Sequence, residues 1–229
     1  MDHIWTIENW EQNIDFMEEG HRTGFRLRFD SGIDPEVRRA CKEFAAFLRK
    51  EYFFPLRVVA YIKNKKKIRA MDGDLVYGTF WSMEDDYTVE PYIRVAAGDY
   101  LDLCDKWGKD SALTAILLTI GHELTHYFQW INALELTPIG MERQATKYAR
   151  YVLCKGKKAI PGEDKGCYEI IKENRHDTRL HNEAGADFRI AYMRGECAAA
   201  AIWNRRYAGN RQFLRFCIPC RGGDEQSAC

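Results

Sequence analysis

The residues best suited to chemistry lie together at His122-Glu123-Leu124-Thr125-His126. They form an HExxH pattern inside a long apolar stretch, Leu113–Ile131, that contains no proline. The stretch predicts a helix, which sets His122 and His126 one turn apart on one face. Two neutral imidazoles so placed can grip one metal ion. Glu123 points into a neighbouring sector, where it can take a proton from a water activated by the ion without being a ligand itself. Ala112, Leu113, Ala115, Ile116, Leu117, Leu118 and Ile120 make the helix apolar nearly all round, so it is expected to be buried. Two surface histidines and a surface glutamate would suit an exposed helix. In a buried one they need partners, which a metal and its water supply.

A catalytic zinc site takes three protein ligands and keeps one position open. Two segments offer the third. Glu142 lies on a helix predicted to start at Thr137 (N-cap) and Pro138 (first turn). The loop before it is short, so the two helices should pack antiparallel, and Glu142, Ala145 and Ala149 share one face. The alanines would allow a close approach that brings the carboxylate to the metal. Glu183, in Glu183-Ala-Gly-Ala-Asp187, is the rival, with His176 and His181 just upstream as further candidates. If Glu142 is the ligand, Glu183, His176 and His181 are left to line a substrate site, where a histidine could stabilise an oxyanion.

The elements that must position these groups can be read in outline. Gly24–Asp30 alternates apolar and charged residues, as a strand does. Asp34-Pro35 opens a helix through Tyr52. Leu56–Lys63, Leu75–Trp81 and Tyr92–Ala97 read as strands, with a basic hairpin tip at Asn64–Lys67. The motif helix runs over Lys109–Asn132 and the next helix from Thr137 to a stop at Gly156. Residues 1–20 read as a polar, loosely packed arm or a short helix. The predicted class is α+β: a small, mostly antiparallel sheet packed on the motif helix and the following helix, forming a core over residues 1–155. Residues 156–229 form a helical extension packed on or covering that core, with a linker at 156–166, a helix over Glu183–Tyr207 and a short strand at Gln212–Ile218.

With 229 residues, 46% hydrophobic and 13% aromatic, the chain can bury a substantial core. Net charge is zero but uneven: residues 1–20 hold six acids and no Lys or Arg, while residues 189–221 hold seven arginines against Glu196. The acidic N-terminus is unlike a secretory leader, and Ala112–Ile120 is too short to span a bilayer, so the expected location is cytoplasmic, without a membrane partner. Eight cysteines then read mostly as reduced, buried thiols. Cys217-Ile218-Pro219-Cys220 is a lone CxxC with no second pair to complete a structural zinc site.

The segment His122-Glu-Leu-Thr-His126-Tyr-Phe-Gln129, followed by Glu142-x-x-Ala145, resembles the gluzincin zinc metallopeptidases, and most closely the small cytosolic or phage-associated ImmA/IrrE-like members. The resemblance covers roughly residues 56–155. It implies a zincin-like fold, one catalytic Zn2+ held by His122, His126 and Glu142, Glu123 as general base, and a protein or peptide substrate. By analogy with related folds, Tyr92–Ala97 would lie at the cleft edge, with Tyr92, Arg94 and Ala96 pairing with an extended peptide. Tyr127 and Gln129 would support the site. Glu183-x-x-Ala186-Asp187 resembles the third-ligand motif of a membrane-embedded gluzincin group, whose transmembrane helices this chain lacks. SprT-like metalloproteases use a third histidine and a zinc ribbon, from which the lone CxxC departs. Two other functions fit the residues. One is a metal-dependent hydrolase of a non-peptide substrate. The other is a nucleic-acid-associated protein binding through the arginine-rich residues 189–221 with Trp203, Tyr207 and Phe213, although the neutral overall charge weighs against it.

Overall fold

In the computed structural model, residues 3–16, 20–83 and 86–159 are described. Strand β1 (Phe25–Phe29) leads into helix α1 (Pro35–Glu51), and the chain returns as β2 (Val58–Lys63), parallel to β1. Helix α1 begins where its sequence says it should. Asp34 caps it, accepting from the Glu36 N–H at 2.8 Å, and Pro35 takes the first turn. Its buried face includes Val37, Cys41, Phe44 and Leu48.

Beyond β2, a short antiparallel ribbon of β3 (Ile68–Arg69) and β4 (Leu75–Val76) precedes β5 (Gly78–Trp81) and β6 (Tyr92–Ala96). The main sheet has the order β1-β2-β6-β5. β2 and β6 are parallel; only β5 and β6 are antiparallel. The fold is therefore α+β with a mixed sheet, not the mostly antiparallel one expected. The Asn64–Lys67 turn does not fold β2 back on itself as a hairpin. The ribbon that follows serves as a crossover, as α1 does between β1 and β2, and crossovers return strands in parallel. The expected strand Leu75–Trp81 is interrupted at Tyr77, its first part pairing with β3 and its second with β6.

Three helices complete the described fold: α2 (Tyr100–Trp107), α3 (Lys109–Ile131) and α4 (Pro138–Ala159). The sequence reading did not find α2, which Gly108 at φ 82° separates from α3. Gly156 does not end α4. It is buried inside it, where a Cβ would lie 3.1 Å from the Phe47 ring of α1. Its smallness serves a helix–helix contact, so the core runs past the expected boundary at residue 155.

The core lies between α1 and α3 and the inward side chains of the sheet, among them Val58, Ala60, Ile62, Ile93 and Val95. The N-terminal arm is not loose. It forms two 3-10 turns, Ile4–Thr6 and Asn9–Gln12, and buries Ile4, Trp5 and Trp10. Those three apolar residues outweigh the polar composition around them. Cys41 and Cys104 are free thiols, whereas Cys154 is disulfide-bonded, unlike the reduced state expected of it. Among the described residues no helix is long and apolar enough to cross a membrane. The linker, the Glu183–Tyr207 helix, the Gln212–Ile218 strand, Cys217, Cys220 and the arginine-rich segment lie outside the described residues.

Candidate metal centre

Helix α3 is anchored on all sides before it presents its histidines. Tyr127 is fully buried; its hydroxyl donates to the Leu56 carbonyl at 2.7 Å and accepts from the Leu56 N–H at 3.2 Å. Thr125 donates to the Gly121 carbonyl at 2.8 Å and accepts from the Trp5 indole N–H at 3.1 Å. On the α4 side, a Cβ added to Gly121 would lie 3.2 Å from the Ala149 Cα. Ala145 and Ala149 are both buried there. The close approach expected from these alanines is thus present, and it carries Glu142 to the histidines.

Three side chains converge as a result. His122 Nε2 and His126 Nε2 stand 3.1 Å apart. The Glu142 carboxylate reaches each of them at 3.3 Å, through Oε2 to His122 and Oε1 to His126. This His-His-Glu group could hold a metal ion. Of the candidate third ligands, Glu142 is the one seen with the histidine pair; Glu183, His176 and His181 lie outside the described residues.

The orientation of His126 is fixed from behind. Its Nδ1 lies 2.7 Å from Gln129 Oε1. Gln129 is buried, and its Nε2 donates at 2.9 Å both to the Met141 carbonyl and to Gln144 Oε1 of α4. A backbone carbonyl can only accept, so the amide nitrogen faces Met141 and Oε1 must face His126. His126 therefore carries a proton on Nδ1, and its Nε2 faces His122 and Glu142 as a donor when the ring is protonated and as a lone pair when it is neutral. A neutral amide does here what a carboxylate is often expected to do for a ligating histidine.

The charges around the group follow from its packing. Burial works to lower the pKa of His126, but the Glu142 hydrogen bond and the charges of Glu123 and Glu142 carry it upward. For Glu142, partial burial works to raise the pKa, and hydrogen bonds from His122 and His126 hold it far below the ordinary carboxylate range. A proton and a cation thus compete for the same point between the three side chains.

Glu123 stands apart from this triangle. It is buried, at 6% exposure, and burial raises its pKa against the opposing pull of His122 and His126. Its carboxylate lies against β5. A Cβ on Gly78 would fall on Glu123 Oε1, 2.9 Å from its Cγ and 2.6 Å from Thr119 Cγ2. Only glycine leaves room for the carboxylate at that point of the strand.

β6 does not lie at the cleft edge as expected. It is hydrogen-bonded to β2 on one side and β5 on the other, which leaves its backbone no room to pair with a peptide. Tyr92 and Arg94 point away from the helices while Ala96 is buried. The edge strand beside α3 is β5. The sequence reading missed Gly78 and Gln144, and no local pattern marks either. Gln129, expected to support the site, sits three residues after His126 on the same helical face and meets its Nδ1. Comparisons with known families, curated proteins and solved structures find no match for this chain.

Proposed function

We propose that this chain is a zinc-dependent metallopeptidase that hydrolyses peptide bonds of a specific protein or peptide. His122, His126 and Glu142 would hold the zinc and Glu123 would act as general base. The observation that carries this reading is the convergence of the three ligand side chains. The two Nε2 atoms are 3.1 Å apart, each Glu142 oxygen lies 3.3 Å from a different one of them, and one ligand atom from each residue lies within 4.8 Å of the others. The nearest of these spacings match the roughly 3.3 Å between ligand atoms about 2.0–2.1 Å from one tetrahedral ion. Two imidazoles and a carboxylate are also a donor set that suits zinc.

When bound, zinc would bring the pKa of water toward about 7 and polarise a carbonyl. The chain's own residues supply the rest. Glu123 is a carboxylate outside the ligand set, with a proton affinity raised by burial. That suits it to take a proton from the attacking water and pass it to the leaving amine. Gln129 holds His126 in the ligating tautomer. The free side of β5 offers backbone partners to an extended peptide lying along α3.

The test combines elemental analysis with an unbiased peptide-library cleavage assay on wild type, His126→Ala, Glu142→Ala and Glu123→Gln. About one zinc per chain is expected in wild type and Glu123→Gln, with strong loss in the two ligand variants. Chelator-sensitive cleavage is expected in wild type only. A zinc-free wild type would sink the reading. Zinc without cleavage of any peptide would remove the peptidase assignment and leave a hydrolase of other substrates.

A further inference from the structure

We propose that the outer face of the sheet is a binding surface for single-stranded nucleic acid. This surface is independent of the metal centre and of the arginine-rich residues 189–221. The strand register sets two rows of side chains across the face that no described helix covers. One row runs Arg26, Val59, Tyr92, Trp81; the next runs Arg28, Tyr61, Arg94, Thr79. Three cations and three aromatic rings therefore share the face over four strands, and neither row contains an acid. The Trp81 and Tyr92 rings are stacked at 5.0 Å and 19°, and Tyr61 meets Tyr92 edge-on at 6.0 Å. Tyr61 is 40% exposed, and Arg26 and Arg28 are exposed. None of the three arginines is in an ion pair among the described residues. A groove of about 740 Å³ continues past Arg26 and Arg28 around the free edge of β1, where α1 adds three more cations and no acid.

This combination fits one class of partner. Exposed rings on a sheet offer bases a stacking platform without reading their sequence, and the surrounding cations track the phosphates. Charged side chains on β1 alone would be explained by protection of an edge strand. Arg94, on an interior strand, is held on the face by hydrogen bonds to Thr79 Oγ1 and the Arg69 carbonyl, and edge protection does not explain the three rings beside it. An acidic polypeptide would use the arginines and leave the aromatic row without a role.

The experiment is fluorescence anisotropy of the full chain with labelled dT15 and rU15 at several salt concentrations. Tyr61→Ala and Arg28→Gln are the variants, because both positions are exposed and circular dichroism can confirm that the fold persists. Binding of single strands is expected to be tighter than binding of a duplex of equal length. Tyr61→Ala should weaken it about 5- to 100-fold, the effect of losing one stacked base. Arg28→Gln should flatten the slope of log K against log salt by about 0.7, the loss of one phosphate contact. Unchanged affinity in Tyr61→Ala would overturn the proposal and move any binding to the arginine-rich segment. Displacement of the oligonucleotide by polyglutamate, with no effect of Tyr61→Ala, would overturn it in favour of an acidic polypeptide.

Discussion

Replacing Gln129 with methionine tests the site at the point where its two helices are joined. The substitution keeps the length and nearly the volume of a side chain that is 1% exposed, so packing changes little. It removes three hydrogen bonds, to His126 Nδ1, the Met141 carbonyl and Gln144 Oε1. The Met141 carbonyl lies inside α4 and retains its helical partner. Gln144 is only half-buried and can turn toward water. The loss that counts is the buried His126 Nδ1–H, left without an acceptor, at about 1–3 kcal/mol. Loss of a partner behind a ligating histidine costs about 10- to 100-fold in metal affinity, or about 1.4–2.7 kcal/mol, so the two routes agree. The assay is zinc competition against a chromophoric chelator, with Gln144→Ala as the control that removes only the outermost bond. Gln129→Met should bind zinc at least tenfold more weakly and Gln144→Ala within about twofold of wild type. Equal affinity for Gln129→Met and wild type would refute the tautomer argument. Equal losses in both variants would show that the link to α4, not the imidazole, is what matters.

Three further outcomes are expected. Gly78→Ala should keep its zinc but lose turnover on the order of 100-fold, because the new methyl group displaces Glu123; full cleavage by that variant would remove Gly78 from the positioning of the base. His3 is enclosed by the rings of Tyr52, Tyr148 and Tyr151, and burial, helped by Lys155, lowers its pKa from 6.5 to about 4. Below pH 6.5 the unfolded chain binds this proton more readily than the folded one, so the stability it contributes is complete above that pH and lost as pH falls toward 4. Discounted for partial exposure, the loss is roughly 1–2 kcal/mol, and chemical denaturation of His3→Phe should lack that share of the acid dependence; identical pH profiles would contradict the assignment. Ala133 follows α3 at φ 47°, a left-handed conformation that favours glycine. Ala133→Gly should therefore stabilise the fold by about 0.5–1 kcal/mol, and a lower melting temperature would show that the turn does not carry this strain.

What could be read from the sequence divides by the range of the interaction. α3 and α1 are legible because an apolar run without proline and an Asp-Pro start are local signals. The Glu142 helix is legible for the same reason, with Thr137-Pro138 at its start and two alanines on the face of the carboxylate. Sheet order is not local. The alternation in Phe25–Phe29 and Val58–Lys63 marks strands without saying which neighbours they take, so a parallel pair was read as part of an antiparallel sheet. Gly78 was invisible because its role depends on a carboxylate brought against it by another element. The N-terminal arm was misread because Trp5 and Trp10 stand singly among polar residues. Their burial depends on a pocket that only the folded helices create.

The division between Gln129 and Gly78 separates two stages in building the site. His122, His126, Gln129 and Glu142 all belong to one helical hairpin, so closing that loop is entropically inexpensive and needs no strand. Glu123 reaches its place only when β5 has joined the sheet, a contact between Gly78 and a residue 45 positions further on. Ion capture can therefore precede assembly of the sheet, while a base held in register waits for it. Under the proposed peptidase reading, folding order would then act as a safeguard, because a nascent chain would hold an ion before it could cut another protein.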